Sequence, residues 1–449
     1  MRPRTRSSLL GLCVAIGVSS VLAAQQPAAG PMALVGGTLI DGSGGPPMRD
    51  SVVLVRGGRI ERVGTVDTVP VPNGYERIST EGMTVLPGLW DLHVHLIYSG
   101  HPNAGVWFKH SADFERVTIP ASARQMLMGG VTSVRDMAAP PEAILAVKKR
   151  IASGELPGPT LYAAGPALAK LAPGQTTTTP QFLPIADAAD ARAKTRQLID
   201  AGVDLIKMFF VGRMSADERT AIISEARARG RKIAMHGQND AEVRLGLALG
   251  IDDFQHIGID SPEYAPDIMA ALRARTKSGP PLYWTPTVGA NNLLNADYIA
   301  TKPELIHDPE AYLGLPQPLV DEIKTGWRDL QPRTARPDTE AIIKRKIAQL
   351  QEAGVQLVFG SDEGSTGELP RHATWMDADL WVRVLGMPPM EVLRSMTSGA
   401  ASMMGVDAEV GTVSGGKQAD LIAVAGDPLR YINVLRDPKV VIKGGRRYK

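Results

Sequence analysis

The middle of the chain alternates helical stretches with short apolar runs that are typical of buried strands. In five places a helical stretch ends in glycine, a short run follows, and a polar residue closes the run, as in QMLMGG-VTSVRD and QLQEAG-VQLVFGSD. Glycine suits the left-handed residue just past a helix C-terminus, and Ser215 and Glu218 have the S-x-x-E spacing of a capping box at a helix start. Helices and strands that alternate in this way form parallel βα units. The five glycines are Gly130, Gly202, Gly230, Gly250 and Gly354.

The number of strand-like runs in this middle region predicts the fold. There are eight, which favours a closed (β/α)8 TIM barrel over an open doubly wound sheet. No G-x-G-x-x-G or Walker-type phosphate loop follows any of them, which also counts against a nucleotide-binding sheet. The runs are MTVLPGLWDLHVHL, VTSVRD, TLYAAG, VDLIKMFF, KIAMHG, DDFQHIG, YWTPTV and VQLVFGSD.

The two ends of the chain differ from the middle. Residues 33–85 consist of strand-like runs punctuated by glycine and proline, and the tail repeats this texture in ADLIAVAG and VVIKGGRRY. Neither end alone has enough strands to bury a face. We therefore predict an α/β protein in which a barrel over residues 86–404 carries a small β-sandwich-like domain built from residues 33–85 and 405–449.

The first residues of the chain are typical of a secretory signal peptide. Three arginines precede an apolar run over 9–22, and small residues follow up to Ala23. We predict a signal peptide over 1–23, a linker over 24–32, and export to a periplasmic or secreted location with no membrane span in the mature protein. A retained N-terminal anchor is the alternative. Because Cys13 is the single cysteine, the mature protein would have no disulfide and no cysteine metal ligand.

Composition narrows the classes of partner. The chain has 449 residues, of which 44% are hydrophobic and 21% charged, and its 49 Lys+Arg against 47 Asp+Glu leave a formal net charge of +2. This apolar content is ample for a core, which excludes intrinsic disorder. Without a clustered basic excess, we expect neither nucleic acid nor an anionic membrane surface as a partner.

Six polar residues on the predicted strands form a candidate metal site. His93 and His95 are two residues apart, so their side chains point to the same face of a strand. This H-x-H motif alone is weak evidence, because hydrogen-bonded core histidines would give the same spacing. The other strands strengthen it, since strand C-terminal ends in a (β/α)8 barrel converge on one face where active sites are found. Lys207, His236, His256 and Asp362 follow their helix-ending glycines by five, six, six and eight residues, and complete a set of imidazole and oxygen donors.

Lys207 has a separate argument. An ammonium group beside two divalent cations is unfavourable, so its pKa would fall. A neutral amine can take up carbon dioxide to form a carbamate, an anion whose two oxygens could bridge two metals. The alternative is a lysine that spans the barrel and pairs with Asp362 in a one-metal site.

From about residue 33 to the C-terminus, these features together resemble the amidohydrolase superfamily. The branch of imidazolonepropionase-like and prolidase-like amidohydrolases is the most similar. The resemblance is carried by PGLWDLHVHL, GGVTSVRD, DLIKMFF, AMHG, FQHIG, TPTV and GSDEG, and in the tail by GMPPMEVLRSMTSGAASMMGV, GTVSGGKQADLIAVAGDPL and VVIKGG.

The resemblance implies two divalent ions, zinc by preference with manganese or cobalt as substitutes. A metal-bridging hydroxide would attack a carbonyl, and Asp362, the catalytic residue, would accept its proton and deliver it to the leaving amine. The implied ligands are His93, His95 and Asp362 for the buried metal, His236 and His256 for the second metal, and the Lys207 carbamate for both.

The implied activity is that of an exported metal-dependent amidohydrolase that cleaves a C–N amide bond. The expected partner is a small-molecule or short peptide-like substrate such as an N-acyl amino acid, and homo-oligomerisation is left open. A second interpretation keeps the metals but has an ester, lactone, cyclic amide or phosphotriester as substrate. A third is a catalytically silent binding protein on the same fold, which the intact six-residue set argues against.

The substrate pocket is where the sequence departs from prolidase-like relatives. After the third strand they often have a histidine-containing segment, whereas this chain has KLAPGQTTTTPQFLP, with Thr176 to Thr179. A pocket for a bulky apolar or aromatic acyl group is one interpretation, and a flexible rim is the other. We name Tyr98, His101, Phe209, Arg371 and His372 as candidate substrate-binding residues. The alternatives are a solvated His101, packing for Phe209, and a contact to a neighbouring loop for Arg371 and His372.

Overall fold

The computed structural model describes residues 30–177, 179–290, 294, 302–330, 335–364 and 368–449. The predicted signal peptide and residues 24–29 of the predicted linker lie outside the described residues. Across the described ranges, no helix combines the length and hydropathy needed to cross a bilayer.

Strands occupy both ends of the chain and alternate with helices in the middle. The strands are β1 Met32–Leu39, β2 Met48–Arg56, β3 Arg59–Thr65, β4 Glu76–Ser79, β5 Met83–Pro87, β6 Leu89–Val94, β7 Val131–Asp136, β8 Thr160–Ala163, β9 Ala167–Ala169, β10 Phe182–Pro184, β11 Leu205–Phe209, β12 Lys232–His236, β13 Asp253–Gln255, β14 Tyr283–Thr285, β15 Gln356–Leu357, β16 Leu421–Ala425, β17 Pro438–Lys443 and β18 Arg446–Arg447. Each of the eight runs predicted in the middle region contains a strand, and β9 and β10 are additional.

Helices follow most of the parallel strands. The α-helices are α1 Ile119–Met128, α2 Pro141–Ala152, α3 Ala188–Ala201, α4 Ala216–Ala228, α5 Asp240–Leu249, α6 Pro266–Lys277, α7 Gln317–Asp329, α8 Thr339–Glu352, α9 Ala373–Arg383, α10 Pro389–Ser395 and α11 Ser398–Met404. The five predicted helix-ending glycines all have positive φ, between 66° and 107°. The predicted capping box is also present, because Ser215 Oγ accepts from Glu218 N at 3.2 Å and Glu218 Oε2 accepts from Ser215 N at 2.7 Å.

Strands from both chain ends form one mixed sheet. Its order is β18-β17-β16-β5-β1-β2-β3, with β4 paired to β1. The two ends meet where β16 runs antiparallel to β5, with Ala423 opposite Val85. Leu34, Val53 and Val85 share a core cluster with Leu421, so the strands of one end complete the core of the other. That this sheet is a separate β-sandwich-like domain with the predicted bounds stays a prediction.

The middle strands form two parallel sheets, which makes the protein α/β. One has the order β6-β7-β8 and the other β10-β9-β11-β12-β13-β14-β15. Backbone hydrogen bonds join the two sheets at two places: Leu92 N donates to Phe359 O at 3.0 Å, and Asp204 N donates to Ala163 O at 2.8 Å. Helix-facing side chains such as Phe254 and Trp284 are fully buried in the largest core cluster.

The first predicted strand of the middle region is in fact two strands. The run MTVLPGLWDLHVHL divides at Gly88 into β5, which belongs to the mixed sheet, and β6, which belongs to a parallel sheet. A Cβ atom at Gly88 would lie only 2.2 Å from Thr132 Oγ1. The chain therefore passes from one sheet to the other at a position where only glycine fits, which periodicity alone does not reveal.

Candidate metal centre

The six candidate ligands come from the C-terminal ends of five strand segments. His93 and His95 lie at the end of β6, Lys207 lies on β11, and His236 ends β12, while His256 and Asp362 lie just beyond β13 and β15. All six side chains line one cavity of about 280 Å³. The structure therefore brings together the complete predicted set, as expected for parallel strands whose C-terminal ends share one face.

One half of the cavity holds two imidazoles against a carboxylate. His95 Nε2 lies 3.0 Å and His93 Nε2 lies 3.3 Å from Asp362 Oδ1. One ligand atom from each of these three residues lies within 4.8 Å of the others. Two imidazole nitrogens and a carboxylate oxygen at such separations could hold a single divalent cation.

The other half holds two facing imidazoles. His236 Nε2 and His256 Nε2 are 3.2 Å apart, and His256 Nδ1 lies 3.6 Å from Asp362 Oδ2. Burial lowers the pKa of both rings, for His256 to about 3, so both are neutral near pH 7. Neutral imidazoles are the form that ligates metals, and these two converge beside the first group.

Lys207 lines the same cavity with a buried amine. Its side chain is 2% exposed, and Nζ has no hydrogen-bond partner among the described residues. Burial lowers the pKa of Lys207 to about 7, so a large share of the amine is neutral at neutral pH. A buried polar atom without a partner indicates a group that would normally satisfy it, and the donor set around Lys207 fits divalent metal.

The backbone is strained at two of these residues. His256 has φ 69° and Asp362 has φ 67°, in the left-handed region that costs non-glycine residues about 1–3 kcal/mol. Hydrogen bonds from His256 N to Thr285 O and from Asp362 N to His93 O, both at 2.8 Å, hold this geometry. The strain turns both side chains into the cavity at the point where each strand segment ends.

Aromatic side chains form one wall of the cavity. Phe209, on β11, packs on His236 with ring centroids 4.0 Å apart and on Phe182 at 4.9 Å. Phe210 stacks edge-on against Phe209 at 4.3 Å, and Tyr98 lines the opposite part of the cavity. The candidates Tyr98 and Phe209 are therefore cavity residues, next to an apolar surface that suits a bulky substrate group.

Several cavity residues were missed by the sequence analysis. Phe182 and Gln181 follow the Thr-rich segment and reach the cavity because β10 pairs with β9. The quoted run KLAPGQTTTTPQFLP already contained both, but nothing in it predicted the short strand. Gln238 lies two residues beyond His236, where its position alone could have suggested it. Met137, Ala138 and Ala167 complete the lining.

Three candidate substrate residues lie away from the cavity lining. Arg371 Nη2 is 3.0 Å from Glu310 Oε2, and His372 Nε2 is 3.0 Å from Asp308 Oδ2. His101 Nδ1 accepts a hydrogen bond from the backbone N–H of Asn103 at 2.9 Å. Arg371 and His372 therefore contact a neighbouring loop, which is the alternative that the sequence analysis left open for them. Substrate binding by any of the three stays a prediction that no cavity contact supports.

The chain is similar in sequence and in fold to known amidohydrolases. The sequence profile of the Amidohydrolase family matches residues 84–276 and 308–447. Ochratoxinase from Aspergillus niger is 26% identical over 92% of this chain and 85% of its own length. Imidazolonepropionase from Sphingopyxis alaskensis is 24% identical over 85% of this chain and 88% of its own length. In fold, the chain resembles the crystal structure of a Xaa-Pro dipeptidase with bound methionine. The TM-score is 0.69 at 21% sequence identity, and the similarity covers 93% of this chain and 100% of the dipeptidase chain.

Proposed function

Because this chain belongs to the Amidohydrolase family, it is a hydrolase acting on carbon–nitrogen bonds, and we propose that it is exported and cleaves the amide bond of a peptide-like or N-acyl amino acid substrate with the help of two divalent metal ions. The observation that carries this proposal is the convergence of four imidazoles, one carboxylate and one buried lysine on a single cavity. A scaffold or binding protein has no need of such a set. Export rests on the signal-peptide pattern alone.

The proposed ligands fall into the two halves of the cavity. His93, His95 and Asp362 would hold one ion, and His236 and His256 the other. Lys207, as a carbamate formed when its amine attacks carbon dioxide and loses a proton, would bridge them. Its buried, unpartnered Nζ supports this better than the one-metal alternative, in which Lys207 would pair with Asp362. When bound, the ions would lower the pKa of water and polarise the substrate carbonyl; zinc is preferred, with manganese or cobalt as substitutes.

Asp362 is the proposed proton carrier. Burial acts to raise the pKa of Asp362, but its neighbours His256, His95 and Lys207 outweigh burial and keep the pKa below its ordinary value. The carboxylate is therefore ionised near pH 7 and able to accept the proton that water loses on attack. Returning that proton to the amine nitrogen would complete cleavage of the C–N bond. The strained backbone at Asp362 fixes the direction of the carboxylate.

The proposed architecture is an eight-stranded parallel barrel. The hydrogen bonds that join β6 to the segment after β15, and β8 to the residues before β11, support closure of the two parallel sheets. A barrel places all six ligands on one rim.

The proposed substrate has a bulky apolar or aromatic acyl side. Phe182, Phe209 and Phe210 pack against one another beside His236 and form a partly exposed apolar cluster at the cavity. The pKa of the Tyr98 phenol is raised, first by burial, so it stays protonated and can donate a hydrogen bond to a substrate oxygen. Esters, lactones, cyclic amides and phosphotriesters remain the alternative, because one nucleophile attacks all these electrophiles.

Metal content and a substrate panel test the proposal together. Elemental analysis of active protein should find close to two divalent ions per chain, and chelation should abolish activity. In a panel of dipeptides, N-acyl amino acids and esters, kcat/KM should be at least about tenfold higher for aromatic acyl amides than for small polar dipeptides. Active protein without bound metal would contradict the mechanism. Equal turnover of small polar dipeptides would contradict only the substrate preference.

A further inference from the structure

We propose that Gln255 is a positioning residue that fixes the tautomer of His93, so that the Nε2 lone pair of His93 faces the cavity. His93 Nδ1 lies 2.6 Å from Oε1 of Gln255, the last residue of β13. Both side chains are buried, at 1% and 0% exposure, so water cannot replace this contact. The role of this contact in metal binding rests on the proposed function, whereas the contact itself does not depend on it.

The orientation of the Gln255 amide is fixed by its other neighbours. Gln255 Nε2 donates to Asp253 Oδ2, and Arg135 Nη2 lies 3.4 Å from Gln255 Oε1. A guanidinium group can only donate, so the oxygen of the amide must be the atom that faces Arg135. The same oxygen faces His93, and it can only accept. His93 Nδ1 must therefore carry the proton.

A buried ion pair holds this amide in place. Arg135 Nη1 and Asp253 Oδ2 are 2.8 Å apart with both side chains 2% exposed, and Arg135 Nε donates to Leu92 O at 2.6 Å. Leu92 is the residue before His93, so the same arginine ties the pair to the strand that carries the ligand. A buried ion pair is a weak source of stability, because desolvation offsets its attraction. Here the pair orients the side-chain amide of Gln255.

The tautomer matters because a neutral imidazole has one N–H and one lone pair. With the proton on Nδ1, the Nε2 lone pair faces the cavity and Asp362 Oδ1, 3.3 Å away, and these two acceptors are the pair that a cation between them would satisfy. With the proton on Nε2, two acceptors would face each other at 2.6 Å, and the ring could not offer Nε2 to a metal. Hydrogen bonds to the second nitrogen of a ligating histidine typically change metal affinity by about 10–100-fold.

The test is nitrogen-15 NMR of histidine-labelled, metal-free full-length protein, with His93 assigned by comparison with His93→Gln. In wild type we expect the His93 proton on Nδ1. Gln255→Met removes the acceptor at similar volume, so the Nε2–H form should become populated and zinc affinity should fall about 10–100-fold. Gln255→Glu should restore both readouts, because a protonated glutamic acid donates its O–H to Asp253 and keeps a carbonyl oxygen toward His93.

The matched control is Gln125→Met, which removes a fully buried glutamine whose Nε2 donates to Leu313 O at 3.0 Å, outside the cavity. It should leave the His93 tautomer and zinc affinity unchanged. Should Gln255→Met not fold, Gln255→Asn keeps an amide but is too short to reach His93, and the same loss is expected. A wild-type His93 with its proton on Nε2, or position-255 variants that match the control, would overturn the inference. The expected tautomer in a protein that hydrolyses no amide would overturn only the proposed function.

Discussion

His256 and His372 are both buried histidines beside an aspartate, yet they belong to clusters of opposite character. His372 lies 3.0 Å from Asp308, next to Arg371, and both Arg371 and Lys449 lie within 3.0 Å of Glu310. We call this group the peripheral cluster. Its cations and carboxylates face one another, and it joins the start of α9 to the residues before α7 and to the chain end.

The cavity cluster differs in that its lysine forms no ion pair with a described residue, and in its backbone strain. Lys207 Nζ and His95 Nδ1 have no hydrogen-bond partner among the described residues, and His256 and Asp362 have left-handed backbone. A buried polar atom without a hydrogen bond and a strained backbone each lower stability unless a ligand offsets the cost. Paired ions at ordinary backbone need no ligand. The comparison teaches that two buried histidines beside aspartates can differ in setting: His256 has strained backbone in a cavity with three other imidazoles, whereas His372 lies among paired charges.

The largest expected difference between the clusters follows from changing one aspartate in each. Asp362→Asn keeps an oxygen donor but cannot carry the proton, so kcat should fall by about a hundredfold or more while much of the metal stays bound. Asp308→Asn in the peripheral cluster should leave kcat within about twofold. Steady-state kinetics and elemental analysis of the two variants measure this. Full turnover in Asp362→Asn would refute the proton role.

The next effect concerns the two lysines. Lys207→Ala should lose the second metal, and propionate should restore part of it by supplying a carboxylate in the space of the carbamate. Reconstitution of stripped wild-type protein should be faster and more complete with bicarbonate than without. Lys449→Ala removes an ammonium group that pairs with Glu310 and Asp437 outside the cavity. This variant should therefore bind both metals as wild type does. Indifference to bicarbonate, with one metal per chain, would favour the one-metal alternative.

How far the sequence could predict these clusters depends on the range of the contacts. Strand period and distance from the helix-ending glycines placed Lys207, His236 and Asp362, because both are local properties that a parallel sheet converts into a shared face. Arg371 also follows a predicted strand end, so by local sequence alone it resembles a residue that lines the cavity. Its partner Glu310 is sixty-one residues away in the sequence, and no periodicity encodes that pairing. The sequence analysis missed Phe182 for a similar reason, since the position of Phe182 depends on the pairing of β10 with β9.

The strand break at Gly88 shows a second limit. One continuous apolar run supplies strands to two different sheets, and hydrophobic pattern alone cannot mark the passage between them. The cavity volume and the orientation of the Gln255 amide likewise depend on side chains from several strands. The sequence therefore predicted the α/β class and the six polar residues that meet in the cavity, while the arrangement around each of them required the structure.

The smallest expected effect is on the acid stability of the peripheral cluster. Burial acts to raise the pKa of Asp308, but hydrogen bonds from His372 and the backbone, with the charges of His372 and Arg371, lower it to about 2. Because the pKa is lower in the folded than in the unfolded chain, this carboxylate stabilises the fold above about pH 4, and its contribution is lost as pH falls toward 2. Asp308 is partly exposed, so solvent screening reduces the contribution to about 1 kcal/mol. Asp308→Asn should therefore lower the free energy of urea unfolding by about this amount at pH 6, and wild type and variant should converge as pH falls from 4 toward 2.5, followed by circular dichroism. A difference between the two proteins that stays constant over this pH range would show that Asp308 acts through packing or neutral hydrogen bonds, and the contrast drawn between a charge-paired periphery and an unsatisfied cavity would then hold only for the cavity.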